Sequence, residues 1–190
     1  MTKRLIVGIT GASGVIYGIR ALEMLKAIGV ETHLVLSPAA KATIAQETDR
    51  KVSDVEALAA VSHDHRDIGA SIASGSFVSA GMLIAPCSIK TLSAVASSYS
   101  ADLMSRAADV CLKEGRPLLL MVRETPLHVG HLKLMLSAAE AGAIIFPPAP
   151  AFYGRPQTLD DVVNATVGRA LARLGLDNEA YHRWQGMGAG

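Results

Sequence analysis

The chain has 190 residues, of which half are hydrophobic and 18% are charged, and its formal net charge is +1. This composition predicts one globular domain, excludes a disordered chain and offers no basic face for nucleic acid. No apolar run approaches the roughly 18 residues of a membrane span, and only two cysteines occur, so we expect a cytoplasmic protein with no membrane partner.

Short apolar runs alternate with helical patterns along the whole chain. The runs predict strands at 4–9, 32–37, 82–86, 117–122 and 143–147. The patterns between them predict helices at 14–28, 38–47, 88–98, 103–114, 128–141 and 158–174. We expect a long polar loop over 61–76 and a flexible tail over 185–190, which leaves residues 1–184 as the single domain. This alternation predicts an α/β fold, a Rossmann-like (flavodoxin-like) doubly wound parallel sheet.

Ligands bind such sheets where the strands end, and the first strand ends in the segment GITGASG, residues 8–14. A dinucleotide fingerprint would need a glycine where Ile9 stands and an acidic residue where Ser37 stands, so an NAD-binding interpretation fails. The turn keeps one hydroxyl, Ser13, at a helix N-terminus. That hydroxyl suits a phosphate or a flavin edge, and it could also simply cap the helix.

Two further clusters follow later strands. In APCSIKTLS, Ser88 and Thr91 place hydroxyls beside the free N–H groups of a helix start, which suits a phosphate. Cys87, in the same segment, is either a nucleophile or a small buried side chain. In VRETP, Arg123 and Glu124 form either a structural ion pair or a ligand contact on the same edge of the sheet.

The histidines do not predict a metal site. His63 and His65 lie in the polar loop, and His128 and His131 share one helical face. Neither pair has a third ligand at suitable spacing, so we expect no bound metal.

Taken together, the segments GITGASGVIYG, AQETD, SGSF, PCSIKTLS, VRETP and PPAPAFYGRPQTLDDVV resemble the flavin prenyltransferases of the UbiX/Pad1 family. The resemblance covers nearly the whole chain in the expected order. It implies an enzyme that joins a dimethylallyl group, from dimethylallyl monophosphate, to N5 and C6 of reduced FMN without a metal. It also implies a homododecamer whose product, prenylated FMN, serves a UbiD-type decarboxylase.

The resemblance further implies roles for individual residues. The expected FMN contacts are Gly11, Ala12, Ser13, Ser37, Ser88, Ile89, Lys90, Thr91 and Arg123. The expected contacts of the dimethylallyl phosphate are Arg106, Lys113, Tyr153, Arg169 and Trp184. The expected catalytic residues are Ser13, Glu47, Glu124 and Lys113, with the two glutamates handling protons.

Two alternative functions share the expected fold. One is a non-catalytic, FMN-binding accessory subunit of an aromatic-acid decarboxylase. The other is a flavin-dependent cysteine decarboxylase, whose P-x-M-N-x-x-M-W segment is replaced here by PCSIKTLS.

Overall fold

Six strands form one sheet in the part of the chain that the computed structural model describes, which is residues 3–181, 183–184 and 186. The strands are β1 (Arg4–Ile9), β2 (Glu31–Leu36), β3 (Val61–His63), β4 (Met82–Cys87), β5 (Leu118–Val122) and β6 (Ile144–Ile145). All neighbouring pairs are parallel, and the order across the sheet is β3-β2-β1-β4-β5-β6. The predicted doubly wound parallel sheet is therefore confirmed.

Helices cover both faces of this sheet. Within the described residues they are α1 (Val15–Ala27), α2 (Pro38–Glu47), α3 (Val52–Glu56), α4 (Ile89–Ala96), α5 (Leu103–Lys113), α6 (Val129–Glu140) and α7 (Leu159–Arg173). Successive side chains of a strand point to opposite faces. In β1, Leu5 and Val7 join the core with α1 and α7, whereas Ile6 joins the core with α4 and α5. Burial on both faces explains why the strands read as continuous apolar runs.

The order of the strands decides where a ligand can bind. The chain runs from β1 outward to β2 and β3, and then crosses back to place β4 against the other side of β1. The carboxyl ends of β2, β1, β4 and β5 are therefore neighbours along one edge. A sheet of this type binds ligands at such a reversal of strand order.

The sequence-based prediction was wrong in part over residues 61–76. Residues Val61–His63 form the edge strand β3, and Ser71–Ala73 form a 3₁₀ turn. The strand has only three residues, and its single apolar side chain, Val61, is 39% exposed. The hydrophobic pattern is therefore too short to predict a strand. The predicted tail over 185–190 lies outside the described residues apart from Gly186. In the described ranges, no helix is both long and apolar enough to cross a bilayer.

Candidate active site

Backbone hydrogen bonds join the ends of adjacent strands along the carboxyl edge. The Ser37 N–H, directly after β2, donates to the Ile9 carbonyl at the end of β1 over 3.1 Å. The Arg123 N–H, directly after β5, donates to the Cys87 carbonyl at the end of β4 over 3.0 Å. The expected FMN contacts Ser37 and Arg123 are therefore held on one edge.

Thr10 makes the link between β1 and β4. Its buried hydroxyl donates to the Pro86 carbonyl over 2.7 Å and accepts from the Ser88 N–H over 2.9 Å. The sequence analysis did not select Thr10. The available signal was a polar residue directly after the first buried strand, at the reversal of strand order.

The loop after β1 lies against the start of α2. A Cβ atom on Gly11 would stand 2.3 Å from the Cβ of Ala39, so this close approach requires glycine. Gly14 has a φ of 95°, in the left-handed region, and it leads the chain into α1. The loop therefore places Ala12 and the exposed Ser13 beside the end of β2 and its Ser37.

Glu47, at the end of α2, caps the start of α1. Its Oε2 accepts from the N–H groups of Gly14, at 2.8 Å, and Val15, at 3.2 Å. Burial raises the pKa of Glu47, but hydrogen bonds from Ser13, Gly14 and Val15, together with the nearby charge of Arg123, outweigh this and leave the pKa lowered. The carboxylate is therefore ionised at neutral pH, and it orients the Ser13 hydroxyl.

The start of α4 is capped differently. The Ser88 hydroxyl accepts from the Thr91 N–H over 3.4 Å and donates to the Thr91 hydroxyl over 3.3 Å. The N–H groups of Ile89 and Lys90 have no acceptor among the described residues. These two N–H groups and the Thr91 hydroxyl, to which the Ser88 hydroxyl donates, form a neutral set of donors that can hold an anion.

Arg123 extends this donor set with a positive charge. Burial raises the pKa of Tyr17, in the first turn of α1, and the nearby charge of Arg123 partly offsets the rise. Arg123 forms no ion pair with Glu124 or with any other described residue. Glu124 is exposed, and its Oε1 accepts from the Thr125 N–H over 3.0 Å, so its Oε2 is left for another partner.

Cys87 is not a nucleophile. Its side chain is fully buried, and burial raises the pKa of its thiol to about 12. A thiol needs its ionised form to attack, so the alternative of a small buried side chain is the one that the structure supports.

A cavity lies beside β6, between the residues that follow this strand and the second half of α7. It has a volume of about 640 Å³, and it brings together Tyr153, Arg169 and Trp184, three of the expected substrate contacts. The rings of Tyr153 and Trp184 meet edge to face, with their centroids 5.7 Å apart. The cavity therefore combines two cations, Arg169 and Arg183, with four aromatic side chains, those of Phe146, Tyr153, Tyr181 and Trp184.

Arg106 and Lys113, the other expected substrate contacts, lie elsewhere in the chain. Arg106 donates to the Ala73 carbonyl over 3.2 Å and pairs with Asp109 over 3.0 Å. Lys113 ends α5, next to the start of β5, and pairs with Glu114. A helix between parallel strands runs antiparallel to them, so the end of α5 lies at the amino edge of the sheet. Lys113 and Arg169 belong to helices that pack on opposite faces of the sheet.

The histidines are engaged with each other and with the backbone. His128 accepts from the Gly130 N–H over 3.0 Å, and its ring lies 3.6 Å from that of His131. His63 and His33 share a 2.9 Å hydrogen bond. Across the residues that the structure describes, no group of three His, Cys, Asp or Glu side chains could hold a metal ion.

Known proteins resemble this chain over nearly its full length. The family model described as Flavoprotein matches residues 1–171. The flavin prenyltransferase UbiX of Thauera aromatica is 61% identical over 183 residues, which is 96% of this chain and 94% of that protein. The crystal structure of AnUbiX (PadA1) in complex with FMN and dimethylallyl pyrophosphate has a TM-score of 0.96 and 48% identity, over 98% of this chain and 99% of that one. A dodecameric, FMN-dependent UbiX-like decarboxylase from Escherichia coli O157:H7 has a TM-score of 0.93 and 48% identity, over 96% of this chain and 100% of that one.

Proposed function

The chain belongs to the UbiX/Pad1 family of flavin prenyltransferases, and we propose that it joins a dimethylallyl group from a dimethylallyl phosphate to N5 and C6 of reduced FMN. One observation carries the proposal. A set of neutral hydrogen-bond donors lies at the start of α4, and a separate cavity beside β6 is lined by two arginines and four aromatic side chains. A flavin and an allylic phosphate together need such a pair of sites.

The donors along the edge fit FMN. The open N–H groups of Ile89 and Lys90, with the hydroxyl of Thr91, suit a phosphate that stays bound throughout the reaction. Ser37 adds a further hydroxyl at the start of α2. We assign the FMN phosphate to this group and not to the start of α1, because a carboxylate already occupies that helix end.

Bound reduced FMN supplies the nucleophilic positions N5 and C6. We assign to Glu47 the orientation of the Ser13 hydroxyl toward the flavin, because this carboxylate already accepts from Ser13 and from the N–H groups of Gly14 and Val15. Glu124 is exposed and has an uncommitted Oε2, so it is the carboxylate that can accept the proton lost from C6. Arg123, whose charge acts on Glu47 and Tyr17, contributes positive charge at the flavin.

The cavity beside β6 suits the prenyl donor. Breaking the allylic C–O bond increases the negative charge on the departing phosphate, and the guanidinium of Arg169 stabilises that charge. The rings of Tyr153 and Trp184 offer π faces to the developing allyl cation.

Arg106 and Lys113 fit the proposal through assembly. We propose a homododecamer in which a neighbouring copy presents these two residues to the donor cavity. The test mixes two variants that we expect to be strongly impaired, Lys113→Ala and Arg169→Ala, under conditions that exchange subunits. Recovery of activity in the mixture supports a shared site, whereas a mixture as inactive as its parents contradicts it.

The proposed reaction is tested directly. The purified protein is incubated without oxygen with reduced FMN and dimethylallyl monophosphate, and in parallel with the pyrophosphate, and the flavin is then analysed by mass spectrometry. A mass increase equal to one prenyl group supports the transferase. Bound but unaltered FMN with both donors indicates the accessory subunit instead. Activation of a UbiD-type apo-decarboxylase by the product tests the proposed recipient.

A further inference from the structure

A row of hydrogen bonds joins the ends of the described strands along the carboxyl edge, and the link between β1 and β4 uses a side chain. The links between β2 and β1 and between β4 and β5 are backbone to backbone. The link between β1 and β4 includes a backbone bond from Thr10 N–H to the Pro86 carbonyl at 3.3 Å, but the bond that reaches Ser88 comes from the Thr10 hydroxyl. This is also where the strand order reverses.

The Thr10 hydroxyl connects the two halves of the proposed flavin site. On one side, the residue after Thr10 is Gly11, which begins the loop to Ser13. On the other side, the hydroxyl holds the N–H of Ser88, the residue that caps α4. Any rotation of the Ser88 peptide would redirect the open N–H groups of the first turn of α4.

We propose that Thr10 is a positioning residue that sets the start of α4 relative to the loop after β1, and so determines the affinity for FMN. This inference rests on the FMN site of the proposed function. Thr10 is 1% exposed, so its hydroxyl acts through Ser88 and does not itself contact the flavin. The role requires one atom that donates and accepts at once, which a serine or threonine hydroxyl provides and a valine methyl group does not.

The test replaces Thr10 by residues that separate shape from hydrogen bonding. Thr10→Val keeps the shape, but it leaves the Ser88 N–H without its partner, so we expect the Kd for FMN to rise by about 10-fold. Thr10→Ser keeps the hydroxyl and should restore near wild-type affinity. Flavin fluorescence titration measures Kd, and the apparent KM for dimethylallyl monophosphate at saturating FMN should stay unchanged, because the donor cavity lies beside β6.

Thr32→Val is the matched control. Thr32 is also a buried threonine, 2% exposed, and its hydroxyl accepts from the Ala60 N–H over 3.3 Å near the amino edge of the sheet. Its loss should lower the melting temperature without changing the Kd for FMN. If Thr10→Val does not fold, Thr10→Ala provides the same measurement.

Two results would overturn the inference. One is a wild-type Kd for FMN in Thr10→Val, and the other is an equal rise in Kd in Thr32→Val. The titration uses no prenyl donor, so it is read independently of catalysis. A wild-type protein that binds FMN but does not prenylate it contradicts the proposed function and leaves the result on Thr10 standing.

Discussion

Helices α1 and α4 begin side by side, after the adjacent strands β1 and β4, yet their first turns are occupied in opposite ways. The N–H groups at the start of α1 are bound by the carboxylate of Glu47. The start of α4 carries only the neutral hydroxyl of Ser88, and two of its N–H groups stay open. Both helix ends favour negative charge, but one already has its own anion.

A glycine turn before a helix therefore does not by itself identify a phosphate site. The glycines after β1 serve the close approach to Ala39 and the left-handed turn at Gly14. The segment with fewer glycines, before α4, has the helix end that can accept a ligand. What caps each end decides which one binds an anion.

The largest effect is expected when the start of α4 receives a carboxylate, as the start of α1 already has. We expect Ser88→Asp to fold well, since Asp102 already caps α5 in this protein, accepting from the Ser105 N–H over 2.8 Å. Two unit charges about 4 Å apart at an effective dielectric constant of about 20 repel by ~4 kcal/mol, so the Kd for FMN should rise roughly 10³-fold. Thr158→Asp at the start of α7 is the control and should leave the Kd unchanged. Tight FMN binding by Ser88→Asp would place the phosphate elsewhere.

The reverse change removes the anion from α1. Glu47→Gln keeps the shape but loses the charge that holds Gly14 and orients Ser13. We expect FMN to stay bound and prenylation to slow by ~10²-fold, the scale of a lost catalytic carboxylate. Single-turnover measurement with reduced FMN reports the rate. Wild-type turnover together with a lower melting temperature would show that Glu47 serves only as a helix cap.

A third substitution tests whether neutral donors hold FMN while a cation holds the prenyl donor. Arg169→Ala should leave the Kd for FMN close to wild type while reducing kcat/KM for the prenyl donor by about 30- to 200-fold, which corresponds to a lost charge-assisted contact of ~2–3 kcal/mol. Arg173→Ala, one turn later on α7 and also exposed, is the control. If Arg169→Ala instead releases the flavin and leaves donor dependence unchanged, the division into two anion sites is wrong.

The smallest expected effect is a pH-dependent stability that comes from the start of α1 and not from the start of α4. The pKa of Glu47 is lowered in the folded protein, so its stabilising contribution is present above its ordinary value of about 4.5. That contribution is lost as the pH falls through the lowered value. Between about pH 6 and about pH 3, the melting temperature should therefore fall more steeply in wild type than in Glu47→Gln. Parallel curves would contradict the assignment.

The strands and long helices could be predicted because burial on both faces makes the strand residues apolar and gives the helices a clear period. β3 and α3 could not, because three and five residues carry no readable pattern. The cytoplasmic location stays a prediction from the cysteine count.

The order of the strands also explains what could be predicted of the candidate site. Residues that directly follow strands, such as Ser37 and Arg123, could be placed on one edge because parallel strands end together. The Glu47 cap joins residues 33 positions apart, and no local pattern predicts such a contact. Lys113 was grouped with Arg169 by resemblance alone, and only the fold shows that α5 and α7 pack on opposite faces of the sheet.

The burial of Cys87 limits its reactivity toward the proposed prenyl donor. The proposed donor becomes an allylic electrophile, and a thiolate beside the flavin would compete with it for the prenyl group. Because burial holds the pKa of this thiol at about 12, the sulfur stays protonated and without access to the cleft. Under the proposed reaction we therefore expect this cysteine, which stands one residue before the cap of α4, to escape alkylation over repeated turnovers.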